Sequence, residues 1–131
     1  MHQLPRSPEP LTLEQSLAEL DGVPAVHLRD SQGLAGLLVA AANAAGLSAA
    51  NPPLVTIGPR GTGAMLLCQG GHVVLEAVPD AGLCFVDVAG IGVVNAQRGL
   101  DVIARRLGAR HIHMESKRRG SVPAATASEA G

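Results

Sequence analysis

Hydrophobic and polar positions repeat with two different periods along this chain, and the change of period marks its elements. Leu34, Leu37, Leu38, Ala41 and Ala45 fall on one helical stripe. They predict a helix over 31–45, capped by Asp30 or Ser31 and closed by Gly46 in the left-handed conformation. Ala96, Leu100, Ile103 and Leu107 form a second stripe. They predict a helix over 95–107, started by Asn95, ended by Gly108, and carrying Asp101 one turn before Arg105 as an ion pair. Period-two alternation predicts strands at 53–57, 63–69, 72–78, 83–89 and 110–115. The run from Gly58 to Gly63 reads as a turn, and Gly70-Gly71 and Ala81-Gly82 read as two-residue hairpin connections. Residues 13–21 are ambiguous. Leu13, Leu17 and Leu20 are spaced like a helix face, and Thr12 with Gln15 imitates a capping box.

Composition narrows the function classes. A chain of 131 residues is one domain, of a size that often needs a partner to bury enough surface. Hydrophobic residues are 47% of it but aromatics only 1%, so the core is Ala, Val, Leu and Ile, and a ligand that must stack on rings has only Phe85. A formal net charge of -1 gives no field for nucleic acid or an acidic membrane. The one basic cluster, Lys117-Arg118-Arg119, reads as a solvated strand end. No apolar run approaches the ~20 residues of a membrane helix; Leu34–Leu47 is interrupted by Gly36, Asn43 and Gly46. Cys68 and Cys84 lack CxxC spacing, and the opening MHQLPRSPEP is no secretion signal. The two thiols are therefore expected as buried cysteines of a cytoplasmic protein. Residues 1–12 read as a loose arm, 13–119 as the ordered domain, and 120–131 as a disordered small-residue tail.

The chemistry-bearing segment is the stretch around 59–92. Pro59-Arg60-Gly61-Thr62-Gly63-Ala64 precedes a strand, Gly70-Gly71-His72 follows it, and then come Glu76-Ala77-Val78-Pro79-Asp80 and Val86-Asp87-Val88-Ala89-Gly90-Ile91-Gly92. In this order they resemble the P-x-G-x-S-G turn, the E-S-H of the self-processing site, the H-T-W-P-E and the V-D-x-x-T-C-G of the prokaryotic S-adenosylmethionine decarboxylases. A late R-G matches Arg119-Gly120. The resemblance runs without gaps from about Ser16 to Ile91 and more loosely to Gly120.

The resemblance implies a strand over 15–21, with Leu17-Ala18-Glu19-Leu20 in place of the family's opening strand, and resolves that ambiguity. The order becomes β-α-β-β-β-β-α-β. The expected fold class is α+β, a two-layer sandwich with an antiparallel sheet and two helices on one face. The other face must be polar or covered, which makes a homodimer the expected state.

What the resemblance implies for chemistry is loss. The serine that becomes the pyruvoyl group falls on Gly71, which has no hydroxyl to attack the preceding bond. The glutamate before it is Gly70, the processing histidine is Glu76, the proton-donating cysteine is Ile91, and the serine of the P-x-G-x-S-G turn is Gly63. In the family the pyruvoyl carbonyl holds the substrate amine and receives the electrons freed when carbon dioxide leaves. The expectation is therefore no pyruvoyl group, no catalytic residue and no metal. The expected role, in a polyamine (spermidine) context, is a regulatory or small-molecule-binding paralogue, alone or in a heteromer with a complete decarboxylase. The alternatives are decarboxylation by another route, with Cys68 as a substitute nucleophile ~10 Å along the chain from Gly71, and unrelated acid–base chemistry by His72 and Glu76. His72, Glu76, Asp80 and Asp87 are the candidate polar residues of a retained cleft. His111, His113 and Glu115 alternate onto one strand face and are acceptable metal ligands by type, but read first as a solvent or dimer face.

Overall fold

The middle of the chain folds into consecutive antiparallel strands, and its first segment, ambiguous by periodicity, joins them. The computed structural model describes residues 11–120. The order is β1 (Thr12–Asp21), α1 (Ala25–Leu28), α2 (Ser31–Ala45), β2 (Leu54–Gly58), β3 (Gly61–Cys68), β4 (Gly71–Val78), β5 (Leu83–Ile91), α3 (Ala96–Leu107) and β6 (His111–Gly120), with a 3₁₀ turn at Pro79–Ala81. One sheet of order β2-β3-β4-β5-β1-β6 holds all six strands, and every neighbouring pair is antiparallel. The α+β class and the two-layer arrangement stand as expected.

β1 is a strand because its partners make it one. It pairs with β5 on one side and β6 on the other, and Ser16, Ala18 and Leu20 alternate into the interior. Tertiary pairing overrides a helical spacing of three leucines. Thr12, read as a helix cap, instead pairs with Gly120. Gly120 thus closes β6, and the last strand runs five residues beyond its expected end. The expected arm and tail otherwise fall on 1–10 and 121–131, outside the described residues.

The helices obey their local signals. Asp30 accepts from Gly33 N at 3.0 Å and Asn95 accepts from Arg98 N at 3.1 Å. Gly46 and Gly108 end α2 and α3 with φ of 85° and 70°. Two expectations fail. There are three helices among the described residues, since α1 forms one extra turn after Pro24. Asp101 and Arg105 make no ion pair. The hairpin turns also shift: the β2–β3 connection is only Pro59-Arg60, and the β3–β4 turn is Gln69-Gly70, with Gly70 at φ 71° and Gly71 already in β4.

Register divides the sheet into two faces. Toward α2 and α3 point Ser16, Ala18 and Leu20, then Cys84, Val86 and Val88, then Val73, Leu75 and Ala77, then Thr62, Ala64 and Leu66, all buried. They meet Leu34, Leu37, Leu38, Leu100, Ile103 and Leu107 in one core. Its polar members are satisfied: Thr62 Oγ1 donates to the Leu28 carbonyl at 2.8 Å, tying α1 to β3, and Ser16 and Ser116 share a hydroxyl bond of 2.8 Å. No helix covers the other face. It presents Leu54, Met65, Leu67, Val78, Phe85 and Ile91, all exposed, beside His72, Glu76, Asp87, Glu19 and His113.

Candidate functional site

The β3–β4 hairpin brings three of the expected site positions together. Gly70 turns the chain, Gly71 pairs with Gly90 of β5, and the Ile91 N–H donates to the Gly70 carbonyl at 2.8 Å. Positions 70, 71 and 91 are thus neighbours although twenty residues separate them. Their side-chain directions differ. Gly71 and Gly90 lie on the helix-covered face, whereas Ile91 projects onto the open face, 53% exposed.

The space beside Gly71 is already filled. A Cβ built there would overlap the Ala89 carbonyl oxygen, lie 2.8 Å from Leu47 Cδ2 and stand 3.0 Å from Gly90 Cα. The same Leu47 methyl lies 2.8 Å from a Cβ built at Gly90, and Val94 crowds that position equally. Leu47, 6% exposed, plugs the gap left by two facing glycines. Interiors packed to this density leave no room for a further methylene.

Glu76 is not part of this cluster. It lies five residues along β4, about 16 Å away, on the open face, with its carboxylate oxygens over Gly63. Asp80 leaves the site as well. It sits in the Pro79–Ala81 turn with its side chain 88% exposed and pairs with Arg29, which ties that turn to the end of α1. Asp80 is therefore a surface anchor and no cleft residue.

His72 and Asp87 do come together, on the open face. His72 Nε2 lies 3.4 Å from Asp87 Oδ2. Gln15 Nε2 donates to both oxygens of the same carboxylate, at 3.1 and 3.3 Å. The expected His72–Glu76 pair is replaced by His72–Asp87, because Val74 separates the first two along the strand while β5 delivers Asp87 from the side. The sequence offered Gln15 only as half of a helix-capping box and not as a site residue; the β1–β5 register, with Leu17 opposite Asp87, brings it there.

Beside this group the open face is hollowed. A cavity of about 340 Å³ has Leu17, Val74 and Phe85 as its floor and Glu19, Glu76, Asp87, His113 and Glu115 around it. Its acidic rim combines residues of four strands, which no linear spacing displays. His111, His113 and Glu115 share this face as expected, and among the described residues no three His, Cys, Asp or Glu side chains are grouped to hold a metal ion. No helix among the described residues is long and apolar enough to cross a membrane.

Cys68 is the cross-strand partner of Gly71, roughly 5 Å away through the sheet and closer than an extended chain would place it. Its thiol is buried, points back toward the Leu66 carbonyl at 3.8 Å, and burial raises its pKa. A protonated thiol in the core is no nucleophile. Cys84 is more extreme. Burial, with a smaller push from the Glu76 charge, moves it up to about 12.

The sequence profile of the S-adenosylmethionine decarboxylase family matches residues 14–120. The fold is similar to the crystal structure of the adenosylmethionine decarboxylase from Aquifex aeolicus, with a TM-score of 0.76 and 28% sequence identity, over 89% of this chain and 97% of that one. No curated protein sequence matches the chain.

Proposed function

We propose that this chain, which belongs to the S-adenosylmethionine decarboxylase family, is a member that stays one uncleaved polypeptide and acts without decarboxylating, as a regulatory or small-molecule-binding paralogue. The observation that carries this reading is the filled space at Gly71. A pyruvoyl group there would need a serine precursor, and neither the hydroxyl nor the room for its Cβ exists. The residues present do not fit the group, so no catalytic step passes through it. Ile91, where the resemblance implies a proton donor, offers no proton. Cys68, the nearest thiol, is held protonated by burial.

The open face supports the binding side of the proposal. Its apolar half, around Leu54, Met65, Leu67, Val74 and Phe85, suits cover by a partner's sheet, a second copy or a complete decarboxylase. Its hollow, apolar below and rimmed by carboxylates, suits a small cation with an apolar stem. S-adenosylmethionine itself would bind weakly, since Phe85 is the single ring for its adenine.

A second reading, acid–base chemistry, is favoured by one observation: Gln15 fixes Asp87, and Asp87 orients His72, the arrangement that sets a general base. Intact mass spectrometry and release of labelled carbon dioxide from S-adenosylmethionine test the main reading. One mass for the whole chain and release no faster than buffer are expected. Two fragments split near residue 70, or catalytic release, would sink it.

A further inference from the structure

The sheet ends in two unlike edges, and the difference points to a second contact surface. β2 is the protected edge: five residues, entered through Pro52-Pro53. Short strands and prolines are how sheets avoid pairing with other chains. β6 is the opposite. It has ten residues, no proline, and an unbroken register against β1 from Asp21–His111 to Thr12–Gly120.

The outward groups of β6 follow from the ladder. Gly92 N donates to the Thr12 carbonyl at 3.0 Å, so Thr12 faces Gly92 as a hydrogen-bonded pair and the even residues of β1 bond toward β5. The odd ones bond toward β6 and engage its odd residues. The N–H and C=O groups of Ile112, Met114, Ser116 and Arg118 then point away from the sheet, without a ladder partner among the described residues.

We infer that β6 pairs with β6 of a second copy, antiparallel about a two-fold axis at Ser116, joining two six-stranded sheets into one. Charge selects this register. Centred on Ser116, Glu115 faces Lys117 of the other copy, twice over, and Arg118 faces Met114. Centred on Met114, Arg118 would face Arg110. Centred on Arg118, Arg118 would face itself and Lys117 would face Arg119. Like charges directly opposite are destabilising and opposite charges favourable. Arg118 is already balanced, since its Nε lies 2.6 Å from Glu14 Oε2 of its own β1. Arg119 faces His113, and the Glu115–Lys117 pairs across the junction extend the pair at 3.8 Å that the two side chains make within one copy. In this arrangement the axis is perpendicular to the sheet, so both open faces stay on one side, free for whatever covers them.

Light scattering on the full chain tests the inference. Glu115→Lys places lysine against lysine across the junction, and Lys117→Glu places glutamate against glutamate. Both positions are exposed, so the fold should survive, which circular dichroism checks. Each variant alone should show half the native mass. Mixing the two variants should restore it, because each Lys of one then meets a Glu of the other. Ser116→Pro, which removes an outward N–H, should also halve the mass. A native mass unchanged in both charge variants, or a mixture that stays at half mass, would overturn the pairing. Loss of an open-face contact is read separately, from the Phe85→Asp variant, and leaves this result standing or falling by itself.

Discussion

Putting a serine back at position 71 is the direct test of how this core is built. Gly71 has an ordinary strand φ, so the substitution carries no backbone strain and should gain roughly 0.5–1 kcal/mol by restricting the unfolded chain. The steric term opposes it. The new Cβ meets the Ala89 carbonyl, the Leu47 methyl at 2.8 Å and Gly90 Cα at 3.0 Å. Two of these are backbone and cannot rotate aside, so the upper end of an overpacking cost, about 3 kcal/mol, applies. The serine hydroxyl, in an apolar pocket, adds roughly 1–2 kcal/mol if it finds no acceptor. The net loss is about 3–4 kcal/mol, which for a domain of this size lowers Tm by roughly 12–20 °C. Thermal unfolding followed by circular dichroism measures it. Gly70→Ala is the control: φ is 71° there but nothing lies within 4 Å, so only the left-handed cost of roughly 1–2 kcal/mol is expected. Leu47→Ala combined with Gly71→Ser should lose less than the sum of the two single losses, since one removes the atom the other strikes. Additive losses, or a Gly71→Ser protein that melts with the parent or splits at residue 70, would refute the filled-pocket argument.

Other expectations follow from single contacts. Thr62→Val should cost about 1–2 kcal/mol in urea unfolding, because it strips the buried Leu28 carbonyl of its donor; a neutral result would mean that water replaces the hydroxyl. Cys84 titrates near 12 folded against 9.0 unfolded, so the folded state holds the proton more tightly. Its contribution is complete below pH 9 and is lost as pH rises from 9 toward 12, by about 1.4 kcal/mol per unit. Cys84→Ala should flatten that limb, and an unchanged alkaline slope would show that other groups control it. Phe85→Asp places a charge on the apolar half of the open face and should reduce the native mass in light scattering while leaving the melting curve near that of the parent. A mass identical to the parent's would argue that this face is not covered.

Local chemistry decided the helices. Asp30, Asn95, Gly46 and Gly108 are caps whose identity alone sets where α2 and α3 begin and end, and their leucine stripes announce which face is buried. The strands of 54–91 were legible too, because alternation has only one way to present an apolar side. The missing hydroxyl at Gly71 and the missing thiol at Ile91 are plain in the residues themselves. What the sequence could not contain is distance across the sheet. β1 became a strand through its two neighbours, against its own leucine spacing. Asp87 chose His72 over Glu76 because β5 runs beside β4, and Gln15 joined them from a strand seventy residues away. Asp80, adjacent in sequence to the site, went to the surface because a 3₁₀ turn carried it toward Arg29. Leu47, which no motif marks, fills the place of the absent serine side chain. Periodicity records which way a side chain points from its own backbone, while contact between strands depends on register, and register is fixed only when the whole sheet closes on its core.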